Sequence, residues 1–200
     1  MCGRYYINDD CWDEAAEDFS ILKNRQDDPL PRGDITPGMP AVSVTAGRQA
    51  DAEVQRLLWG FAGFDRGKLI INARTEGVRQ KPLFADSFRE RRCVLPCSGF
   101  YEWDAGKQKV AFTLAGEKVM YLAGIFRPYG NENHFVVLTR EANASMLPVH
   151  DRMPLLIRKE DVLSWLTDRQ AAEEILMQTL PALQAKRDYE QYSFFDSGML

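Results

Sequence analysis

Short strand-like segments that follow one another with few helical patterns between them constrain the fold of this chain most. Between residues 93 and 139, runs rich in β-branched or aromatic side chains and bounded by Gly, Pro or Asn cover residues 93–97, 109–114, 119–126 and 135–139. The turn at Gly116 and Glu117 is too short to hold the helix that joins parallel strands. This succession predicts antiparallel pairing and an α+β fold class, not a doubly wound sheet.

The remaining hydrophobic patterns predict a core with helices around it. Further strands are expected at residues 41–45, 54–59 and 155–157, and helices at residues 11–19, 82–91, 142–147, 161–166 and 171–180. With 45% hydrophobic and 11% aromatic side chains, a chain of 200 residues can bury a full core. We expect one domain over residues 1–200, with a largely antiparallel, curved or barrel-like sheet flanked by helices.

The charge distribution limits the classes of partner. A net charge of −4 argues against a protein that coats duplex DNA with a general basic surface. A local cluster of basic residues, typical of a solvated face, nevertheless occurs close to the polar motifs described below: Arg74, Arg79, Lys81, Arg89, Arg91 and Arg92. The first twenty residues are acidic and contain no long apolar run, so we expect neither a signal peptide nor a membrane span. These features predict a cytoplasmic protein with no membrane partner.

The cysteines suggest buried thiols. Cys93 and Cys97 have a spacing that half a zinc site could use, but the two histidines stand far off and unpaired in the sequence. Burial as small hydrophobic side chains is the better interpretation of this pair. We therefore expect no metal and no cofactor.

Cys2 is the most reactive residue if Met1 is removed. A terminal Cys2 would carry an α-amine and a thiol on one residue, and such a 1,2-aminothiol captures an aldehyde first as an imine and then as a five-membered thiazolidine. An α-amine has a pKa of about 8, so its unprotonated share at neutral pH far exceeds that of a lysine with a pKa of about 10.4. Taken alone, a cysteine at this position is more often an incidental thiol at a frayed terminus than a reactive one.

Polar, reactive side chains recur among core-like residues in four segments, at residues 1–4, 72–76, 98–103 and 150–154. These motifs, in this order, resemble the SOS response-associated peptidase family, abbreviated SRAP, and the resemblance spans residues 2 to about 157. It implies a sensor of abasic sites in single-stranded DNA that crosslinks covalently to the lesion through the processed Cys2. The implied partner is abasic single-stranded DNA, and we expect a monomer.

The resemblance implies catalytic roles for Cys2, Asn72, Glu102 and His150. Glu102 would act as general acid and base, and His150 would help to open the sugar ring or position a phosphate oxygen. Asn72 follows a hydrophobic run and would orient the α-amine, although asparagine is also a common turn residue. A lone histidine such as His150 is often structural.

The same resemblance implies the DNA contacts. Bidentate phosphate binding would suit Arg4, Arg74 and Arg152. Trp103 and Pro40, or Pro37, would stack on bases or wedge them apart beside the lesion, whereas a buried Trp103 would be part of the core. Because neighbouring residues of a regular strand face opposite ways, Glu102 and Trp103 can line one pocket only if the strand ends or bulges there.

Two other functions use the same residues. In a cysteine hydrolase, which would also account for autoproteolytic loss of Met1, the Cys2 thiolate attacks an amide and His150 acts as base. In a non-covalent single-stranded DNA-binding module, affinity persists without any covalent product. The requirement for both amine and thiol separates crosslinking from hydrolysis.

Overall fold

The computed structural model of the chain describes residues 2–18, 32–48, 51–63, 65 and 67–187. Its α-helices are α1 (Asp9–Asp18), α2 (Pro82–Glu90), α3 (Val162–Thr167) and α4 (Arg169–Ile175), and short 3₁₀ turns cover Thr75–Gly77 and Lys159–Asp161. Its strands are β1 (Tyr5–Ile7), β2 (Gly33–Ile35), β3 (Pro40–Ala46), β4 (Ala52–Trp59), β5 (Phe61–Ala62), β6 (Leu69–Ile70), β7 (Asn72–Arg74), β8 (Arg92–Cys97), β9 (Gly99–Trp103), β10 (Lys109–Leu114), β11 (Met120–Tyr129), β12 (Glu132–Glu141), β13 (Arg152–Pro154), β14 (Leu156–Ile157) and β15 (Leu183–Arg187).

Five of these strands close into a barrel. In cyclic order β3 pairs with β4, β4 with β12, β12 with β11, β11 with β8, and β8 again with β3. All of these pairs are antiparallel except β4 with β12. β7 adds to β12 in parallel, and β13 and β14 pair with β12 and β11. The predicted α+β class and barrel-like, largely antiparallel sheet are confirmed.

A second, antiparallel sheet lies beside the barrel in the order β15, β10, β9, β1, β2. The chain passes from barrel strand β8 into β9 at Ser98, whose backbone N–H donates to the Tyr6 carbonyl at 2.8 Å. The fully buried Tyr5 of β1 packs on Trp59 at the end of β4, with ring centroids 5.3 Å apart. Buried residues of both sheets therefore form one continuous core.

The two neighbouring strands β10 and β11 do not pair with each other, although their short connection predicts a hairpin. β10 pairs with β9 and β15, while β11 pairs with β8, β12 and β14. Their burial explains the difference: the first six residues of β11 are all buried, whereas buried residues alternate in β10. A strand covered on both faces belongs in the barrel, and a strand with one buried face belongs in the sheet beside it.

The predicted helix at residues 142–147 is wrong, because this segment is a series of turns. The Asn143 side-chain oxygen accepts hydrogen bonds from the backbone N–H and the hydroxyl of Ser145, at 3.1 and 2.6 Å. Such local side-chain bonds compete with helical ones, and Pro148 disfavours helix before it. The other helices occur near their predicted positions; Phe19, at the end of the first prediction, lies outside the described residues. No helix in the described ranges is long and apolar enough to cross a bilayer.

Gly99 allows the close approach of β9 to its neighbours. A Cβ atom at this position would lie 2.6 Å from the Phe112 carbonyl oxygen and 2.6 Å from the Tyr6 hydroxyl oxygen. Atoms do not approach so closely, so any other residue would push the strands apart. The glycine therefore fixes the position of the strand that carries Glu102.

A single buried guanidinium joins two helices to the barrel. Arg92, at the start of β8, donates to the carbonyls of Phe88 and Arg89 at 2.9 and 2.7 Å, and to those of Trp165 and Leu166. These carbonyls belong to the last turns of α2 and α3, where unpaired oxygens carry partial negative charge. Arg92 thus serves as a shared C-terminal cap.

Replacing Arg92 by methionine should destabilise the fold strongly. Arg92→Met leaves buried carbonyls without donors, so we expect a loss of about 3 kcal/mol in the free energy of unfolding. Arg89→Met, on the exposed side of α2, should change it by less than about 0.5 kcal/mol. Urea denaturation followed by tryptophan fluorescence measures both, and equal stability of the two variants would contradict the capping role.

Candidate active site

Cys2 lies inside the protein just before β1. Its side chain is 1% exposed, and its backbone carbonyl accepts a hydrogen bond from Nδ2 of Asn72 at 3.0 Å. Asn72 begins β7 and is itself held in place, because the Trp59 indole donates to the preceding Ile71 carbonyl at 3.0 Å. Since Trp59 also packs on Tyr5, one side chain positions both Asn72 and the strand after Cys2.

The carboxylate of Glu102 lies close enough to Cys2 to change its titration. Glu102 is 4% exposed and faces the interior from β9, opposite Val110. Burial and, after it, the negative charge of Glu102 raise the pKa of the Cys2 thiol to about 12. The thiol is therefore protonated at neutral pH, with the Glu102 carboxylate near enough to act on its charge.

Asn72 offers a second polar atom to this pocket. Its Oδ1 atom is buried and accepts no hydrogen bond from the described part of the chain. A buried acceptor of this kind is normally satisfied, so the pocket is ready for a donor such as an amine. The structure therefore brings together the predicted residues Cys2, Asn72 and Glu102.

Trp103 lies on the opposite face of the strand from Glu102. It is 38% exposed, and β9 keeps a regular register with β10 up to Trp103. The strand was expected to end or bulge here; it ends at Trp103 without a bulge, and the two side chains lie on opposite faces. Trp103 instead forms an outer face, here called the aromatic face, with four other side chains: Arg4, Tyr6, Tyr101 and Lys109.

Cation and ring contacts hold the aromatic face together. The Arg4 guanidinium lies 5.5 Å from the Trp103 ring centroid, and the Lys109 ammonium 4.8 Å from that of Tyr101. Tyr6 and Tyr101 stack with centroids 4.9 Å apart. Arg4 also forms an ion pair with Asp34 at 3.3 Å. This face begins two residues from Cys2 but lies outside the buried pocket.

Arg152 is engaged inside the protein. Its guanidinium binds both carboxylate oxygens of Glu76, at 2.5 and 2.9 Å, and donates to the Thr139 carbonyl at 2.7 Å. The side chain is buried, so the geometry favours a positioning role for Arg152. Its predicted phosphate contact stays a prediction.

His150 is connected to the same segment. Its Nδ1 atom lies 2.9 Å from the Arg152 backbone nitrogen and 3.0 Å from Oδ1 of Asp151. A neutral ring can accept the backbone N–H at Nδ1, whereas a protonated ring would donate from Nδ1 to the aspartate. These contacts link the position of His150 to Arg152 and Glu76, and its catalytic role stays a prediction.

Arg74 lies on the surface at the end of β7 and lines an open cleft of about 770 Å³, here called the basic cleft. The lining residues are Ile70, Asn72, Arg74, Lys81, Pro82, Leu83, Phe84 and Arg127. Since Nδ2 of Asn72 binds the Cys2 carbonyl, the basic cleft reaches a direct neighbour of Cys2. Pro40 begins β3 opposite Leu58 and is half-buried, and its contact with DNA stays a prediction.

The family model described as SOS response associated peptidase (SRAP) matches residues 1–193. The chain belongs to the SRAP family. This SRAP chain is 26% identical over 211 residues to the abasic site processing protein YoaM of Bacillus subtilis (strain 168), with 96% of this chain and 90% of the relative covered. It is 25% identical over 185 residues to the abasic site processing protein YedK of Escherichia coli (strain K12), with 87% and 83% covered.

Solved structures agree with the SRAP fold described above. A crystal structure of a protein from Bordetella bronchiseptica matches with a TM-score of 0.77 at 21% identity, covering 93% of this chain and 99% of that chain. At that identity the likeness concerns the fold alone. The site residues are assigned from the sequence motifs, and this assignment does not depend on the structural likeness.

Sequence reasoning gave no role to several residues that shape this SRAP site. Glu76 lies within one of the motifs, but only the fold brings it to Arg152, 76 residues later. Arg127 and Trp59 lie outside the four motifs, and strand pairing brings them close to the site. The local cluster of basic residues noted in the sequence does not form one surface: Arg79, Arg89 and Arg91 form surface ion pairs, and Arg92 is buried.

The ion pair between Glu76 and Arg152 should make stability depend on pH. Hydrogen bonds from Arg152 hold the pKa of Glu76 below its usual value. Such a carboxylate stabilises the folded state above its unfolded pKa of about 4.3, and the stabilisation is lost as the pH falls through the lower folded value. We expect Glu76→Gln to lower the urea midpoint at pH 7, with the deficit shrinking below about pH 4.

The exposed Glu132 of β12 supplies the control for this experiment. Glu132→Gln should leave the urea midpoint unchanged at both pH values. A deficit in Glu76→Gln that is the same at pH 3 and pH 7 would show that the ion pair is not its cause.

Proposed function

We propose that this protein captures abasic sites in single-stranded DNA as a covalent thiazolidine on Cys2, after removal of Met1. The observation that carries the proposal is the arrangement around Cys2, with Asn72 bound to its carbonyl and Glu102 beside its thiol. The relatives named abasic site processing proteins support the same substrate. Capture in this form would protect the lesion during the DNA damage response.

The chemistry needs no cofactor. The Cys2 amine attacks the aldehyde carbon of the ring-opened deoxyribose, and loss of one water gives an imine. The sulfur then bonds to the imine carbon while the thiol proton ends on nitrogen, which closes the five-membered ring. Glu102 would relay protons in both steps, and Oδ1 of Asn72 would accept from the attacking amine.

The electrostatics of Cys2 do not provide the thiolate that peptide hydrolysis needs. A cysteine hydrolase depends on a thiolate and lowers the pKa of its cysteine to obtain one. Burial and Glu102 instead raise the pKa of the Cys2 thiol to about 12. Ring closure would not need a preformed thiolate, because the thiol proton can pass to Glu102 or to the imine nitrogen as the carbon–sulfur bond forms.

The aromatic face would hold the strand beside the lesion. Trp103 and Tyr101 offer rings on which bases can stack, and base–aromatic stacking tolerates any sequence. Arg4 would contact a phosphate in exchange for its exposed ion pair with Asp34, which is worth little in water. His150 would act on the sugar from the loop that Arg152 and Glu76 hold.

Cys2→Ser separates the two bonds of the proposed adduct. The α-amine remains, so an imine that borohydride traps should still form on a uracil-glycosylase-treated strand. Ring closure by the weaker nucleophile should fail, so the heat-stable adduct should disappear. Denaturing gels and intact mass, which also reports whether Met1 is absent, measure both products.

Cys11→Ser is the matched control, because it removes another buried thiol and keeps Cys2. It should retain the heat-stable adduct. A heat-stable adduct of normal yield from Cys2→Ser would sink the thiazolidine assignment.

Glu102→Gln should affect the rate of capture and spare DNA affinity. Loss of a general acid and base slows a reaction by roughly 10²–10⁴-fold, while the substitution keeps the shape of the side chain. Single-turnover crosslinking gives the rate, and anisotropy with a stable abasic analogue gives the affinity. Glu160→Gln, an exposed control, should match the wild type in both, and parallel losses of rate and affinity in Glu102→Gln would point to misfolding.

A further inference from the structure

Trp59 ends the barrel strand β4, and its backbone is bound there in both directions. Its N–H donates to the Met39 carbonyl at 3.0 Å, and its carbonyl accepts from the Gly38 N–H at 2.8 Å. The N–H of the next residue, Gly60, donates to the Phe135 carbonyl at 2.8 Å. The Trp59 side chain is fully buried and stacks on the Phe135 ring, with centroids 5.8 Å apart. Trp59 is therefore held firmly within the barrel.

The indole N–H of Trp59 binds the peptide group that precedes Asn72. It donates to the Ile71 carbonyl at 3.0 Å, and the same carbonyl accepts the backbone N–H of Val137 of β12 at 3.1 Å. A backbone carbonyl oxygen has two lone pairs, so the barrel uses both of them to hold one peptide group. These two bonds fix the backbone from which the Asn72 side chain extends.

The ring of Trp59 also contacts the strand that follows Cys2. The ring centroids of Trp59 and Tyr5 lie 5.3 Å apart, and Tyr5 is the first residue of β1. On the other side, Nδ2 of Asn72 donates to the Cys2 carbonyl at 3.0 Å. Cys2 is thus held through Asn72 and through β1, and a single indole contacts both supports.

Trp165 of α3 makes the same kind of contact elsewhere in the fold. It is also fully buried, its indole donates to the Cys93 carbonyl at 3.0 Å, and its ring packs on Phe88 with centroids 6.1 Å apart. A buried indole normally finds a partner for its N–H, so stability alone accounts for such a bond. Trp59 differs in the place of its partner, because that carbonyl belongs to the residue before Asn72.

We infer that Trp59 is a positioning residue for capture and that it acts through Asn72. Its indole N–H holds the peptide group between Ile71 and Asn72, so that Nδ2 of Asn72 stays on the Cys2 carbonyl while Oδ1 is presented to the α-amine. The inference rests on the proposed function and extends it to a residue outside the four motifs. Misplacement of a reacting group by about 1 Å can slow a reaction roughly 10²-fold, so the rate of capture is sensitive to this bond.

A matched pair of substitutions tests the inference. Trp59→Phe removes the indole N–H and keeps an aromatic ring beside Tyr5, whereas Trp165→Phe removes the corresponding N–H from the Cys93 carbonyl. Each variant loses one buried hydrogen bond, so we expect similar decreases in the urea midpoint. Single-turnover crosslinking to a uracil-glycosylase-treated strand gives the rate of capture, with removal of Met1 verified by intact mass. Anisotropy with a strand that carries a tetrahydrofuran residue, an abasic analogue without an aldehyde, gives the affinity.

Trp59→Phe should slow capture roughly tenfold or more and leave the affinity within about twofold of wild type. Trp165→Phe should capture at the wild-type rate in spite of its similar loss of stability. In an Asn72→Ala background, Trp59→Phe should slow capture no further, because the bond that it removes acts through the missing amide. A further slowing as large as in the wild-type background would show that Trp59 acts on the fold in general.

The side-chain amide of Asn72 reports the same contact in the absence of DNA. In protein with ¹⁵N-labelled asparagine, Asn72→Ala identifies the amide signal by its disappearance. The Nδ2 proton bonded to the Cys2 carbonyl should exchange with water roughly tenfold faster in Trp59→Phe than in wild type. In Trp165→Phe it should exchange at the wild-type rate.

Two results would overturn the inference: a wild-type rate of capture in Trp59→Phe, or an unchanged amide signal of Asn72 in that variant. If Asn72→Ala captures too slowly for its rate to be measured, the amide signal decides. If wild-type protein forms no adduct while the amide signal changes in Trp59→Phe, the positioning of Asn72 is correct and covalent capture is wrong. If wild-type protein forms the adduct and Trp59→Phe changes neither measurement, only the inference fails.

Discussion

The pairing of β1 in the interior of a sheet is the constraint on which the site depends. Only three residues long, β1 is bound by β9 on one side and by β2 on the other, and the fully buried Tyr5 packs on Trp59 of the barrel. Chain termini are usually mobile, yet this arrangement fixes the backbone within three residues of Cys2. A nucleophile that must meet a carboxylate and an amide in fixed geometry gains from that order, because little entropy remains to be lost on reaction.

Burial of Cys2 has two effects that act together. It keeps the thiol protonated and out of contact with bulk solvent, and it places the thiol beside Glu102. In the proposed capture reaction, the thiol would react only after an aldehyde has reached it. The DNA strand would then have to present its sugar inward, which a position without a base allows because no base has to be accommodated.

The sequence predicts those parts of the fold in which a strand is long and hydrophobic enough to carry its own signal, as in β3, β4, β8 and β12. Three of the strands that build the site, β1, β7 and β13, have three residues each, so pairing with their neighbours defines them and no local pattern does. Motifs led to Cys2, Asn72 and Glu102. The partners of Arg152 and the contribution of Arg127 depend on register between distant segments, and Trp103 was expected beside Glu102 although the regular pleat of β9 separates them.

One barrel strand, β12, aligns three residues of the site. Along β12, Val137, Thr139 and Glu141 lie opposite Asn72, Arg74 and Arg152, in steps of two residues. Successive side chains of a strand point to opposite faces of the sheet. Insertion or deletion of one residue within this stretch would therefore turn some of these side chains to the opposite face. The turn at Gly130 precedes the stretch and is exposed. Residues 137–141 are therefore expected to accept changes in composition but not in length, whereas the exposed turn at Gly130 can change in length without turning these side chains over, provided that a residue able to adopt its positive φ remains.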